Sequence, residues 1–183
     1  MSYFAVIDTE TNWADQVMSI GTVIADSQTF RPVAAKYHIL PVFCEMGGMY
    51  YDALFLKTPV KPICCTRKAA MKDLLSWFSQ YGVDSLFAYN ARFDKTHLPE
   101  LGQLTWHDIM RLAAYRQHNP KIPATADLCS TGRLKRGYGV EPMLRLLSGN
   151  QRYHETHNAV FDALDELEIM RLLEHPLEHY LPV

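Results

Sequence analysis

The sequence predicts an α/β fold in which a mixed sheet of five strands is flanked by helices. Two observations support this prediction. Three apolar, β-rich segments open the chain at residues 3–9, 17–25 and 33–40, and they are close enough in sequence to form an antiparallel meander. After them, helix-like and strand-like segments alternate, which is typical of a sheet with helices packed on its faces.

The chain after residue 40 supplies the alternating elements. Residues 41–62 contain a Gly-Gly pair and several prolines, so we expect an irregular surface excursion there. Thr66 is a suitable N-cap for a helix that ends near Tyr81. The remaining predictions are strands at 85–89 and 104–106 and helices at 92–100, 108–118, 142–147 and 156–174.

Length and composition favour one globular unit. The 183 residues suffice for one well-buried domain, which we expect to span residues 1–183. A hydrophobic fraction of 48% and a charged fraction of 21% are near the globular average, which excludes a disordered chain. The sequence contains neither a membrane-spanning apolar run nor a signal peptide, so we expect a cytoplasmic protein without a membrane partner.

The net charge of −2 argues against a protein that grips long duplex nucleic acid through its phosphates. It leaves open a site that holds only a few terminal nucleotides, where bound cations would supply the positive charge.

The first acidic cluster is Asp8-Thr9-Glu10-Thr11, at the carboxyl end of the first predicted strand. Side chains alternate along a strand, so Asp8 and Glu10 lie on the same face. Two carboxylates this close repel each other unless a cation lies between them. Mg²⁺ or Mn²⁺ would fit, because both favour oxygen ligands. By itself, the same pattern also suits a solvated strand end.

The second cluster is the junction between a buried strand and a helix, Tyr89-Asn90-Ala91-Arg92-Phe93-Asp94. Asp94 falls in the first helical turn, where the helix dipole favours a negative charge. Taken alone, the position equally suits simple helix capping, and Phe93 suits core packing.

The third cluster is His157-Asn158-Ala159-Val160-Phe161-Asp162. A spacing of five residues on a helix separates two side chains by about 140° in projection. His157 and Asp162 therefore reach one site only if His157 precedes the helix. The alternative is a surface histidine and a solvated aspartate.

Together, the three clusters resemble the motifs of the DEDDh exonucleases, the DnaQ-like branch of the ribonuclease-H-like superfamily. The resemblance covers most of the chain, with F-A-V-I-D-T-E-T, Y-N-A-R-F-D-K-T-H-L and H-N-A-V-F-D-A-L-D-E-L-E as the three motifs. It implies a ribonuclease-H-like fold and a 3′→5′ exonuclease that removes 5′-mononucleotides from single-stranded 3′ ends of DNA or RNA. The implied catalytic residues are Asp8, Glu10, Asp94, His157 and Asp162.

The resemblance also implies two divalent metal ions, Mg²⁺ or Mn²⁺, held by the four carboxylates, with His157 as the general base. Asp8 would bridge both ions, Glu10 and Asp162 would complete one site, and Asp94 would hold the other. For the substrate, we expect contacts from Thr11, from Trp13 and from Asn90 at the second motif. Trp13 would stack on a base, or else it packs beneath the loop.

The chain departs from the family pattern in two places. Residues 46–51 (Met-Gly-Gly-Met-Tyr-Tyr) stand where the family commonly carries an H-G-I element, which puts substrate preference in doubt. The sequence ends at Val183, without the tail by which a proofreading subunit binds its polymerase, so we expect a free-standing nuclease.

Two alternatives remain at this level. One is a non-catalytic nucleic-acid-binding module that retains the exonuclease fold, although no motif residue has been lost. The other is a metal-dependent phosphatase that uses the same carboxylates. The sequence leaves the oligomeric state open.

Overall fold

The structure is a computed structural model that describes residues 2–183. The strands are β1 (Tyr3–Thr11), β2 (Val17–Asp26), β3 (Pro32–Ile39), β4 (Ile63–Cys64), β5 (Ser85–Ala88) and β6 (Thr105–Asp108). The helices are α1 (Pro41–Cys44), α2 (Arg67–Tyr81), α3 (Arg92–His97), α4 (Met110–Ala113), α5 (Val140–Ser148) and α6 (Ala159–Leu173). Short 3₁₀ turns span Tyr51–Phe55, Pro99–Leu101 and Leu177–His179.

The strands form one mixed sheet in the order β4-β3-β2-β1-β5-β6. The predicted antiparallel meander of β1, β2 and β3 is confirmed. β5 runs parallel to β1, with Ala5 paired to Leu86. The carboxyl ends of these two strands therefore meet at the same edge of the sheet, and this edge carries the first two acidic clusters.

The prediction of a mixed α/β fold is confirmed, but the sheet has six strands where the sequence predicted five. The additional strand, β4, lies within the segment that follows β3 and pairs in parallel with it, Ile63 opposite His38. Two residues are too short for a period-2 pattern to be recognised, and Pro62 directly before them suggested a loop.

Helices cover both faces of the sheet. Phe4 and Val6 of β1 pack against α5 and α6, whereas Ala5 and Ile7 pack against α2 on the opposite face. Because side chains alternate along β1, Asp8 continues the face that α6 covers. The sheet thus directs Asp8 toward the helix that carries the third acidic cluster.

A close contact at Gly21 brings α6 onto the sheet. Gly21 lies opposite Asp8 in the β1–β2 register. A Cβ atom at Gly21 would lie 2.0 Å from the backbone oxygen of Ala159 and 2.2 Å from the nitrogen of Val160. Only a residue without a side chain allows this approach, which places the first turn of α6 directly above Asp8.

Two helix predictions need correction. The predicted helix over 108–118 is only one turn, α4, followed by turns in which Tyr115 forms an isolated bridge with Arg133. The helix predicted from residue 92 to 100 ends at His97, and Pro99 begins a separate 3₁₀ turn. Proline lacks the N–H needed to continue an α-helix, which explains the break. Within residues 2–183, no helix combines the length and apolarity needed to cross a membrane.

Candidate active site

A pocket of about 370 Å³ opens at the carboxyl end of β1. This volume falls within the range of small-molecule sites. It is lined by residues from β1, the loop after β3, the β5–α3 junction and the α6 N-terminus. All eight residues that the sequence singled out line it: Asp8, Glu10, Thr11, Trp13, Asn90, Asp94, His157 and Asp162.

The tightest group in the pocket is Glu10, His157 and Asp162. One ligand atom from each of these side chains lies within 4.8 Å of the other two. Glu10 is 9% exposed and Asp162 is 3% exposed. This group could hold one metal ion, and it combines the first and third sequence motifs.

The second motif reaches the same pocket through α3. Asp94 is buried in the first turn of this helix and accepts a hydrogen bond from the Thr9 hydroxyl at 2.7 Å. Thr9 lies between Asp8 and Glu10 on β1, so the hydrogen bond fixes Asp94 against the strand that carries them. The sequence did not indicate this role for Thr9.

Asp162 and Glu10 share a buried, negatively charged environment. Burial, followed by the nearby Glu10 carboxylate, raises the pKa of Asp162 to about 9. Burial likewise raises the pKa of Glu10 to about 8, although a hydrogen bond with Asp162 opposes the change. In the metal-free protein, a proton shared by these two carboxyl groups relieves their repulsion.

Asp8 and Asp94 show the same effect. Burial, followed by the surrounding carboxylates, raises the pKa of Asp8 well above its usual value. Burial raises the pKa of Asp94 to about 7, and the hydrogen bond from Thr9 limits the change. Of the described residues that line the pocket, none is a lysine or an arginine.

The donor set fits divalent cations. Asp162 Oδ1 is buried and has no hydrogen-bond partner among the described residues. Burying an unpaired carboxylate oxygen is costly, whereas a hard cation satisfies several carboxylates at once. The buried oxygens of this pocket are thus the ligand type that Mg²⁺ and Mn²⁺ favour.

His157 lies in the loop immediately before α6, as required for it to share a site with Asp162. Its backbone has a positive φ of 53°, an uncommon conformation for a residue with a side chain. The imidazole stacks on the ring of Tyr50, with 3.9 Å between ring centroids and an interplanar angle of 11°. Burial lowers the pKa of His157, so its neutral form predominates at neutral pH.

Asn158 fixes the backbone next to His157. It is fully buried, and its side chain accepts a hydrogen bond from the N–H of Val160 as the N-cap of α6. Its amide nitrogen donates to the Tyr37 hydroxyl at 3.1 Å and to the Ala53 carbonyl at 2.7 Å. These contacts connect the α6 N-terminus to β3 and to the loop that carries Tyr50.

The three predicted substrate-contacting residues also line the pocket. Thr11 ends β1 and is half-buried, whereas the Trp13 side chain is 66% exposed. Asn90 is exposed and has a φ of 65°. Its N–H donates to Asp108 at 3.0 Å, which stabilises this backbone conformation.

The structure adds several residues that sequence reasoning did not assign to the site. Glu155 lines the pocket, and so do Met49 and Tyr50 of the 46–51 segment that replaces the family's H-G-I element. Phe93, which the sequence assigned to the core, is instead 39% exposed at the pocket. Glu166 lies one turn beyond Asp162 on α6 and is 1% exposed. Its i+4 spacing from Asp162 was a usable signal, because residues four apart share a helix face.

The raised carboxyl pKa values predict how metal-free protein responds to pH. In the unfolded chain these groups ionise near pH 4, whereas in the folded protein Asp94, Glu10 and Asp162 retain protons up to about pH 7, 8 and 9. The folded state therefore binds more protons over this range, and its stability falls as pH rises.

We expect the Tm of metal-free protein to decrease between pH 6 and pH 9, and the Tm increase on adding Mn²⁺ to grow over the same range. Differential scanning calorimetry at four pH values measures both effects. The Asp162→Asn variant should have a flatter profile. A metal-free Tm that rises with pH in the parent protein would contradict the electrostatic description of the pocket.

Comparisons with known proteins support the fold. No protein-family model and no curated protein sequence matches the chain. Solved structures do match. The nuclease domain of 3′hExo, a DEDDh family member bound to rAMP, superimposes with a TM-score of 0.67 at 13% identity, covering 100% of this chain and 96% of that domain.

Two longer proteins match over almost the whole of this chain. The first is a 3′-exonuclease that recognises the histone mRNA stem-loop, with a TM-score of 0.64, 13% identity and coverage of 96% of this chain. The second is E. coli ExoI in a zinc-bound complex with single-stranded DNA, with a TM-score of 0.59, 15% identity and coverage of 95%.

This chain spans 65% of the histone mRNA exonuclease and 40% of ExoI. These likenesses concern the fold, since all three identities are far below those at which sequence alone relates two proteins. The chain thus has the ribonuclease-H-like fold of the DEDDh exonucleases, in agreement with the resemblance of its three motifs.

Proposed function

We propose that this protein is a divalent-metal-dependent 3′→5′ exonuclease that releases nucleoside 5′-monophosphates from single-stranded 3′ ends. The observation that carries the proposal is the meeting of Asp8, Glu10, Asp94, His157 and Asp162 in one pocket. These residues come from three separate sequence motifs, and the solved structures of the same fold are exonucleases.

Under this proposal, the four carboxylates bind metal at two positions. Asp8 would contribute to two metal positions, Glu10 and Asp162 to one of them, and Asp94 to the other. When bound, divalent ions make a water nucleophilic and stabilise charge on the entering and leaving oxygens of the phosphodiester. The buried setting favours this chemistry, because electrostatic interactions are stronger away from bulk water.

His157 would remove a proton from the attacking water. Its lowered pKa keeps the ring neutral and able to accept a proton near neutral pH. The stacked Tyr50 ring restricts the imidazole orientation, and the Asn158 cap restricts the backbone beside it.

Replacing His157 by alanine is expected to lower kcat by about 10²-fold or more, the usual contribution of a general base. At saturating Mn²⁺, where the site carboxylates hold metal in place of protons, the acidic limb of the parent pH–rate profile should also disappear. Steady-state assays between pH 5 and pH 9 measure both effects.

His154→Ala is the matched control, since His154 is 77% exposed in the same loop and lies outside the pocket. Because His157 is also near Glu10 and Asp162, Mn²⁺ affinity is measured in parallel. A large loss of Mn²⁺ affinity with an unchanged pH profile would assign His157 to metal binding and contradict its role as base.

Exposed apolar side chains at the pocket mouth support a single-stranded substrate. Trp13 and Met49 are 66% and 68% exposed, and Phe93, which is 39% exposed, lines the same pocket. Unpaired bases stack on such surfaces without regard to sequence, and a tightly paired duplex end cannot separate its bases to do so. With a net charge of −2, the chain is suited to a short terminal contact more than to a long phosphate track.

The proposal is tested by digesting single-stranded DNA and RNA that carry a label at either the 3′ or the 5′ end, with Mg²⁺ or Mn²⁺. We expect immediate release of the 3′ label as a mononucleotide and progressive shortening of the 5′-labelled strand. Internal cleavage products, or release of the 5′ label first, would contradict the proposed polarity. Comparing DNA with RNA shows which nucleic acid is preferred, and comparing Mg²⁺ with Mn²⁺ shows which ion supports the activity.

A further inference from the structure

Glu166 is a buried carboxylate that none of the roles above uses. It lies on α6 one turn after Asp162 and is 1% exposed. Burial, followed by the charges of Asp94 and Asp162, raises its pKa well above the usual value. After burial, Glu166 is the neighbour that raises the pKa of Asp8 most. Its carboxylate is therefore close enough to the other acidic groups of the site to interact with them electrostatically.

Only part of the Glu166 carboxylate is satisfied by the protein. The backbone N–H of Tyr89 donates a hydrogen bond to it, but Oε2 is buried and has no partner. Within residues 2–183, Glu166 forms no ion pair with a lysine, arginine or histidine. An unpaired buried charge destabilises the folded protein.

A cation would satisfy Oε2 where the protein does not. Glu166 shares one face of α6 with Asp162. Its carboxylate interacts electrostatically with Asp8, Asp94 and Asp162, the carboxylates that would hold the divalent ions. We propose that Glu166 is a fifth carboxylate of this metal centre and increases its affinity for divalent cations. The proposal rests on the proposed function, because it assumes that metal ions bind between those three aspartates.

The competing role is a purely structural one, in which a protonated Glu166 fills its buried position and accepts the hydrogen bond from the Tyr89 N–H. A glutamine substitution distinguishes the two roles. Glu166→Gln keeps the size and the acceptor for the Tyr89 N–H, but it removes the negative charge. A structural role survives this change, and a metal-binding role does not.

The test is Mn²⁺ binding to the intact protein without nucleic acid, followed by isothermal titration calorimetry and by Tm with and without Mn²⁺. The proteins compared are the parent, Glu166→Gln, Asp8→Asn and the control Glu168→Gln. Glu168 lies on the same helix but is partly exposed and paired with Arg171.

We expect Glu166→Gln to bind Mn²⁺ about 10- to 100-fold more weakly than the parent, the usual effect of losing a group that supports a metal site. Its metal-free Tm should be higher, because a repelling charge is gone, and its Tm increase with Mn²⁺ should be smaller. Glu168→Gln should behave like the parent.

Parental Mn²⁺ affinity in Glu166→Gln would overturn this inference, and weak binding by Asp8→Asn in the same experiment would leave the proposed metal centre intact. If Asp8→Asn also bound like the parent, or the parent bound no Mn²⁺, both proposals would fail. Should Glu166→Gln not fold, Glu166→Asp replaces it. That variant keeps the charge but shortens the side chain, and it should also bind Mn²⁺ more weakly than the parent.

Discussion

Asp8→Asn is expected to lower the rate of nucleotide release by about 10³-fold or more, because it removes the carboxylate shared by both proposed metal positions and several kcal/mol of transition-state stabilisation. The protein should nevertheless remain folded, since asparagine has nearly the same shape. Metal-free Asp8→Asn should even be more stable than the parent at pH 8. Burial and four neighbouring carboxylates raise the pKa of Asp8, so removing its charge relieves repulsion.

A loss of activity combined with a gain in Tm separates a functional role from a structural one. The rate is measured with a 3′-labelled single-stranded oligonucleotide and Mn²⁺, and the Tm by calorimetry without metal. Asp84→Asn is the matched control, because Asp84 is exposed just before β5, at the opposite end of that strand from the pocket. Parental activity in Asp8→Asn would refute the assignment of the site.

Gly21→Ala is expected to lower both activity and stability, although Gly21 does not line the pocket. The new Cβ would lie 2.0 Å from the Ala159 carbonyl oxygen, far inside van der Waals contact. The first turn of α6 would have to move by about 1 Å, a displacement that can cost about 10²-fold in rate when it shifts catalytic groups. Asp162 and His157 would both shift relative to Asp8.

Overpacking of this kind also destabilises a protein by about 1–3 kcal/mol, which corresponds to a Tm decrease of roughly 2–10 °C in a chain of this size. Calorimetry and the nucleotide-release assay measure the two effects. Gly139→Ala is the control, because its Cβ would meet only Pro142 at 3.9 Å and its φ of −76° suits alanine. If Gly21→Ala retained both parental Tm and parental rate, α6 would not be fixed by this contact.

Much of the site could be predicted from sequence because each motif lies at the end of a regular element. The apolar run before Asp8 indicated a buried strand, and Asp94 lies in the first turn of the helix that follows a second buried strand. The parallel pairing of β1 and β5 then brings both to one edge. For His157, the spacing of five residues required a position before the helix if it was to share a site with Asp162, although the helix was predicted from residue 156. The structure begins α6 at Ala159, so His157 does precede it.

Other features depend on tertiary contacts that leave little trace in local sequence. The Tyr50–His157 stack joins residues about a hundred positions apart in the sequence. Tyr50 lies in a loop without a periodic pattern, so the sequence does not indicate where its side chain points. From the sequence alone, Gly21 cannot be distinguished from any other glycine in a strand, because its role depends on the contact with α6. Glu166 carries a clear i+4 relation to Asp162, but an acidic residue in the middle of a helix is usually solvated, and its burial follows only from the packing of α6 against the sheet.

The central claim is that these carboxylates form a metal-dependent centre acting on 3′ ends. The most direct measurement uses chelator-treated protein, a 3′-labelled single-stranded oligonucleotide, and Mn²⁺ added back in steps, with Asp8→Asn assayed alongside. We predict that the parent releases labelled nucleoside 5′-monophosphate only after Mn²⁺ is restored and that Asp8→Asn releases almost none. Release by the chelator-treated parent without Mn²⁺, or equal release by both proteins, would contradict the account.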